Sequence, residues 1–186
     1  MIIEGGTGTG HKAKVDSQNR LYTFSTSESE MHFASESGNA YSWTAVAADI
    51  NAGDTALLLC NDDPDRKLHI DMVYLYSDVP TQFKFHYPAY SASFTGTAVT
   101  GLNFNRTSSK IALVTCYADE TANTFAAANV FLTIRSNELT SDQFGSEIQF
   151  RNSVILGYHD SLAIDIIAES EAFEATIWGY FKPYDL

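Results

Sequence analysis

The feature that most constrains the fold is a series of short apolar and aromatic runs from about residue 39 onward. Each run is bounded by Gly, Pro, Asn or Asp, the residues that favour turns. No segment sustains the apolar period of about 3.6 residues that a helix requires. This pattern predicts an all-β chain whose strands pair antiparallel, because no crossover helices separate them. The predicted strands are Ala40–Ala47, Thr55–Cys60, Leu68–Tyr76, Gln82–Tyr87, Ser109–Tyr117, Val130–Arg135, Ile148–Leu156, Ser161–Ala168 and Phe173–Phe181.

The number and spacing of these strands favour an antiparallel β-sandwich. Among sandwiches we favour the jelly roll, which takes about eight strands, although an immunoglobulin-like sandwich fits the count as well. Alternation is clearest in the last two strands, Ser161–Ala168 and Phe173–Phe181, and predicts that they form a closing hairpin. The best helical candidate, Asp119–Asn129, is short.

The first 38 residues differ in composition from the rest. Glycines at positions 5, 6, 8 and 10 make the beginning flexible, and the Ser/Glu-rich tract Ser25–Gly38 is either a short helix or a loop. A segment with so little apolar content becomes ordered only by docking. We therefore predict an extended N-terminal arm over residues 1–38 and a β-sandwich domain over residues 39–186.

The net charge of -12 limits the partners of the chain. An acidic surface repels phosphate backbones and anionic lipids, so we expect neither nucleic acid nor a membrane as a partner. No apolar run approaches the roughly 18 residues of a membrane span, and no secretory signal is expected. Cys60 and Cys116 lie in apolar runs, which indicates buried free thiols in a reducing compartment.

No arrangement of residues indicates catalysis, and we expect a non-enzymatic protein without a cofactor or a metal. Two weak metal candidates exist. His69 and Asp71 alternate on one predicted strand, as in a cupin-like enzyme, and the acidic turn over residues 61–65 lacks the Gly and the closing Glu of a calcium loop. The aromatic run over residues 83–90 indicates core and interface, with sugar stacking in a carbohydrate-binding sandwich as the alternative.

The two ends of the chain carry strings that resemble a group of tailed-bacteriophage virion proteins. The opening string is Gly-Thr-Gly-His-Lys-Ala-Lys-Val-Asp-Ser-Gln-Asn-Arg-Leu, residues 8–21, and it is followed by Gly-Asn-Ala-Tyr at residues 38–41. The closing strings are Ser-Val-Ile-Leu-Gly at 153–157, Asp-Ser-Leu-Ala-Ile at 160–164 and Ala-Thr-Ile-Trp-Gly-Tyr at 175–180.

The resemblance leaves roughly residues 60–150 uncovered. It implies a structural virion protein, first of all a capsid decoration (cement) protein on the outside of the shell. A head–tail or tail component is the alternative role. It further implies a jelly roll, a homo-oligomer with a trimer favoured, and the major capsid protein or another virion protein as partner.

In that role the arm would contact the shell. Lys12, Lys14 and Arg20 would meet carboxylates. The apolar anchors would be Ile2, Ile3, Val15, Leu21, Tyr22 and Phe24. Arms of this kind also supply backbone hydrogen bonds by adding a strand to a neighbouring sheet.

Overall fold

The computed structural model describes residues 14–15, 21–22, 29–47, 50–89, 94–121, 129–135, 146–168, 170 and 172–184. Within them the chain is nearly all β, with one short helix, and two antiparallel sheets pack face to face as a β-sandwich. The strands are β1 (Lys14–Val15), β2 (Leu21–Tyr22), β3 (Ala40–Ala47), β4 (Thr55–Asn61), β5 (Arg66–Ser77), β6 (Gln82–His86), β7 (Thr97–Ala98), β8 (Leu102–Asn103), β9 (Val114–Glu120), β10 (Val130–Arg135), β11 (Ser146–Leu156), β12 (Ser161–Ile166) and β13 (Phe173–Pro183), and the helix is α1 (Glu30–Glu36).

The strands are divided between a six-stranded and a five-stranded sheet. The six-stranded sheet has the order β10-β6-β12-β4-β9-β7, and the five-stranded sheet has the order β11-β5-β13-β3-β8. Strands β1 and β2 pair with each other. The connections from β3 through β6 and from β10 through β13 pass from one sheet to the other at every step. Consecutive strands therefore face each other across the core instead of pairing edge to edge.

The core lies between the sheets and follows from the alternation of apolar residues. In β13, Phe173, Ala175 and Ile177 all point inward and are buried. Gly179 is required on this strand by a close approach of its neighbour. A Cβ at this position would lie 2.7 Å from the carbonyl oxygen of His69, at a register shift between β13 and β5. The burial of Phe173, Ala175 and Ile177 thus agrees with the alternation that the sequence predicted for this strand.

The predicted closing hairpin is wrong. Strand β12 pairs with β4 and β6, whereas β13 pairs with β3 and β5 in the opposite sheet. Alternation shows which residues of a strand share a face, but it carries no information on which strand lies alongside. The fifth predicted strand also begins later than expected, at Val114, because residues 109–113 are not in a strand.

Helix α1 lies within the predicted arm, so the helical alternative holds for Glu30–Glu36. Its N-cap, Ser29, accepts a hydrogen bond from the backbone N–H of His32 (3.1 Å). The helix buries Ala34 against Ala40 and Tyr180, in a small cluster separate from the main core. This contact fixes the helix to the outer face of the five-stranded sheet. The helical candidate Asp119–Asn129 falls mostly outside the described residues, although β9 continues through Glu120.

Candidate interaction surface

One edge of the sandwich is formed by residues 102–113, here called the edge segment. It begins with β8 in the five-stranded sheet and leads to β9 in the six-stranded sheet. The Asn103 side chain donates to the carbonyls of Gly38 (3.0 Å) and Lys110 (3.2 Å) and accepts from the backbone of Asn105 (2.8 Å). Asn105 in turn accepts from the backbone N–H of Thr107 (3.1 Å). Beyond the short backbone pairing of β8 with β3, asparagine side chains therefore supply hydrogen bonds that hold this irregular segment in place.

The edge segment carries large apolar side chains that lie in solvent. Leu102 is 68% exposed and Ile111 is 74% exposed, while Phe104 and Leu113 are 43% and 44% exposed. Phe104 meets Trp178 edge-on, with ring centroids 6.5 Å apart. All four belong to one short segment of the chain, and such a concentration, unlike scattered single apolar residues, makes the segment a candidate interaction site.

The charge of the edge segment is opposite to that of the whole chain. It contains Arg106 and Lys110 and no acidic residue, although the chain carries -12 overall. The Lys110 ammonium donates to the carbonyl of Ser37 (2.9 Å) and to Asn39 Oδ1 (3.1 Å), so it also ties the segment to the end of α1. A partner that fits this surface has an apolar patch with carboxylates around it.

A second group of residues holds α1 to the sheet. Glu30 accepts a hydrogen bond from the Tyr180 hydroxyl (2.5 Å) and forms an ion pair with Lys182. The hydrogen bonds from Lys182 and Tyr180 lower the pKa of Glu30, and burial followed by the contact with Glu30 raises the pKa of Tyr180. The His69 ring stacks on Tyr180 with centroids 5.2 Å apart. A groove of about 800 Å³ lies between α1 and the end of β13, next to the exposed Phe33. The start of α1 is therefore fixed to the outer face of the five-stranded sheet.

The residues predicted for the arm are only partly described. Lys14 pairs with Tyr22 and Val15 pairs with Leu21 in the β1–β2 ladder. Ile2, Ile3, Lys12, Arg20 and Phe24 lie outside the described residues. The contact of the arm residues with a shell stays a prediction.

The two metal candidates have ordinary roles in the fold. Asp71 is half-buried at the bulge of β5, where burial raises its pKa, and its neighbour His69 stacks on Tyr180 as described above. In the acidic turn, Asp63 forms an ion pair with Arg66 (2.6 Å), so a side chain of this chain neutralises its charge. In the described part of the chain, no group of three or more His, Cys, Asp or Glu residues is arranged to hold a metal ion.

The aromatic run is divided between core and surface. Phe83 and Phe85 are buried in the main core. Tyr87 is 41% exposed and stacks on Phe131, with ring centroids 4.5 Å apart and an interplanar angle of 15°. The alternation of the run thus puts one face of β6 into the core and leaves an aromatic pair at the end of the strand.

Sequence reasoning missed a buried polar cluster on the outer face of the six-stranded sheet. Asp165 Oδ2 lies 2.8 Å from His86 Nε2, and its Oδ1 accepts from the Thr55 hydroxyl (2.6 Å). On the same face the Ser161 hydroxyl lies 3.0 Å from Cys60 Sγ. All these residues are buried. The continuous apolar run over residues 56–60 was the available signal, because a strand buried on both faces does not alternate.

The cysteines are both free and buried, as predicted. They lie on opposite faces of the sheet, with Cys116 in the main core and Cys60 in a small cluster with Leu58 and Ala163. Burial raises the pKa of Cys60 to about 11 and that of Cys116 well above its ordinary value. Both thiols are therefore protonated at neutral pH and poor nucleophiles.

None of the helices that the structure describes has the length and apolarity needed to cross a membrane. Comparisons of the chain with protein-family models, with curated proteins and with solved structures give no match.

Proposed function

We propose that the chain is a structural virion protein of a tailed bacteriophage, most simply a capsid decoration protein that binds the outer shell and bridges neighbouring capsomers. The observation that carries the proposal is the edge segment, which exposes Leu102, Phe104, Ile111 and Leu113 beside Arg106 on an acidic chain. The strings that resemble virion proteins at both ends of the sequence support the same role.

The finer fold assignment, a jelly roll, is part of this proposal, and the strand order supports it. With the short β7 and β8 and the added β9 set aside, each sheet keeps four strands, in the orders β11-β5-β13-β3 and β10-β6-β12-β4. Eight strands in two sheets, wound so that successive strands alternate between the sheets, are what a jelly roll requires.

The proposed contact works through two regions of the chain. The edge segment buries its apolar side chains on the major capsid protein, with Arg106 facing a carboxylate. The arm extends from α1 to an adjacent subunit and carries the predicted contacts Lys12, Lys14, Val15, Arg20, Leu21, Tyr22 and Phe24. A homo-oligomer, with a trimer favoured, multiplies these contacts and raises occupancy through avidity.

The edge segment is tested with a double variant, Leu102→Ser with Ile111→Ser, added to capsids that lack the protein. Burying each side chain contributes about 1.5–3 kcal/mol, so the pair should weaken binding by about a hundredfold or more. Ile167→Ser is the control for loss of an exposed apolar side chain elsewhere, since Ile167 is exposed and follows β12, outside the edge segment. Wild-type occupancy by the double variant, measured by particle imaging and gel densitometry, would refute the role of the edge segment.

The arm is tested by deletion of residues 1–24, with the same capsids. We expect reduced occupancy, and undiminished occupancy would refute the role of the arm. The copy number per particle separates the shell from the alternative sites. Many copies distributed over the particle indicate decoration, whereas a single small ring indicates a neck or tail component.

A further inference from the structure

A second surface lies at the opposite edge of the sandwich, near the ends of β6 and β11. A groove of about 510 Å³ opens between the residues that follow β6 and the connection from β11 to β12. Its lining residues include Tyr87, Ile155, His159 and Asp160. Its volume falls in the range of about 300–1,000 Å³ that small-molecule sites occupy.

We propose that this groove binds a neutral saccharide. The first reason is the aromatic wall. Tyr87 lines the groove, and Phe131 stacks on its ring and holds it in place. The π face of an aromatic ring is electron-rich, and it attracts the polarised C–H bonds on the flat face of a pyranose.

The second reason is a set of polar groups that line the same groove as this wall or belong to it. Asp160 and His159 line the same groove, and the described hydrogen bonds of the Asp160 carboxylate use Oδ2, which accepts from the Gly157 backbone (2.8 Å). Burial, and then the Asp160 charge, raise the pKa of Tyr87, so the phenol remains a hydrogen-bond donor. A carboxylate, an imidazole and a phenol beside an aromatic ring suit a ligand with several hydroxyl groups.

The loop that carries these groups is fixed before any ligand arrives. His159 has a φ of 63°, and its backbone N–H donates to the carbonyl of Asn61 (2.8 Å). The Asn61 N–H donates to the carbonyl of Asp160 (3.0 Å), and the Tyr158 N–H donates to the Tyr184 hydroxyl (2.7 Å). A left-handed non-glycine residue is held only where its surroundings determine the backbone, and such preorganisation lowers the entropic cost of binding.

Charge narrows the class of ligand. The Asp160 carboxylate and the net charge of -12 oppose phosphates, sulfated sugars and nucleotides. The inference goes beyond the capsid role and does not depend on it, because the groove and the edge segment lie at opposite edges of the sandwich. On a particle surface such a site would hold a sugar polymer.

The test uses the full chain and four neutral trisaccharides, maltotriose, cellotriose, chitotriose and isomaltotriose, in saturation-transfer NMR and calorimetric titration. We expect at least one to bind with a Kd below about 10 mM. Tyr87→Ala should weaken that binding about tenfold, and Tyr87→Phe should keep most of it. Asp160→Asn keeps an oxygen for the Gly157 N–H and should weaken binding through the lost charge alone.

Phe104→Ala is the matched control, because Phe104 is equally exposed but belongs to the edge segment. It should bind the saccharide normally while losing affinity for capsids, and Tyr87→Ala should show the reverse. No binding of any trisaccharide at about 10 mM, or binding that Tyr87→Ala leaves unchanged, would overturn the saccharide site. Neither result affects the capsid-binding assay, so the saccharide site and the capsid role can fail independently.

Discussion

At the end of the sandwich that carries the groove, Asn61 is the side chain that should contribute most to the stability of the fold. It is fully buried, and its amide nitrogen donates to the carbonyls of Arg66 (3.0 Å) and Leu156 (3.0 Å). Its Oδ1 accepts from the backbone N–H of Asp63 (3.0 Å). The side chain thus joins β4 to the start of β5 and to the end of β11.

Asn61→Ala removes four hydrogen-bond contacts at once, because the amide nitrogen also donates to the carbonyl of Gly157 (3.2 Å). The amide has two N–H protons for three carbonyls, so the four contacts amount to about three full hydrogen bonds. At about 1 kcal/mol each, the loss is about 3 kcal/mol, and buried carbonyls left without a donor add to it. For a chain of this size, 3 kcal/mol corresponds to a fall in Tm of roughly 6–12 °C. The free energy of unfolding is measured by urea titration at pH 7, with Tm from calorimetry.

Asn61→Asp has the same shape and should be worse at pH 7. It puts a carboxylate oxygen where the amide faced three carbonyl oxygens, and a buried charge without a counter-charge costs several kcal/mol. Burial and these acceptors raise the pKa of the new carboxyl in the folded state. The extra loss is therefore complete only above that raised pKa, shrinks as the pH falls, and is absent below the unfolded pKa of about 3.9.

Asn103→Ala is the matched control, because Asn103 makes the same kind of bonds but is only half-buried. Water replaces its partners, so we expect a loss of about 1 kcal/mol. The reasoning would be refuted if Asn61→Ala cost less than about 1 kcal/mol, or if Asn61→Asp matched it at pH 7.

Three further predictions concern groups away from the proposed contacts. His86→Leu leaves the Asp165 carboxylate buried and should lower the free energy of unfolding in urea by about 3 kcal/mol or more. Adding Asp165→Leu should restore part of this stability. A double variant that is no more stable than His86→Leu would contradict the reasoning. In the folded protein at pH 8, Cys60 (pKa about 11) and Cys116 should react with a disulfide reagent only as fast as the chain opens. Both thiols should react at once in urea. Rapid reaction of either thiol in the folded protein would be the contrary result. Glu30 has a lowered pKa and a half-exposed side chain, so its ion pair with Lys182 should stabilise the fold by about 0.5–1 kcal/mol above pH 4.5, and this stabilisation should be lost as the pH falls further. The free energy of unfolding should therefore drop less between pH 6 and pH 3 in Glu30→Gln than in the wild type. Equal drops would argue against the ion pair.

Much of the strand content was readable from the sequence, because strand formation and inner-face burial are local properties. The predicted strands Ala40–Ala47 and Val130–Arg135 match β3 and β10 residue for residue. The run over residues 56–60 also contained the signal that β4 is buried on both faces, although the prediction did not use it. Such patterns depend on the period of two in a strand, which every residue in the run reports.

The candidate sites could not be predicted from the sequence in this way, because they bring together residues that lie far apart along the chain. The groove joins Tyr87 to Asp160, and the edge segment lies beside α1 through Asn103 and Gly38, contacts that span long stretches of sequence. The pairing of β12 and β13 with different partners likewise contradicted the hairpin that their spacing favoured.

The sequence alone determined that the chain forms antiparallel strands with a dry core and an acidic surface, because alternation, turn residues and charge are properties of the residues themselves. Only the tertiary structure decided which sheet each strand joins, which apolar residues remain outside the core, and which polar groups meet at the ends of the sandwich. Strand partners are selected by the summed packing of two whole sheet faces, and no short stretch of sequence contains that sum.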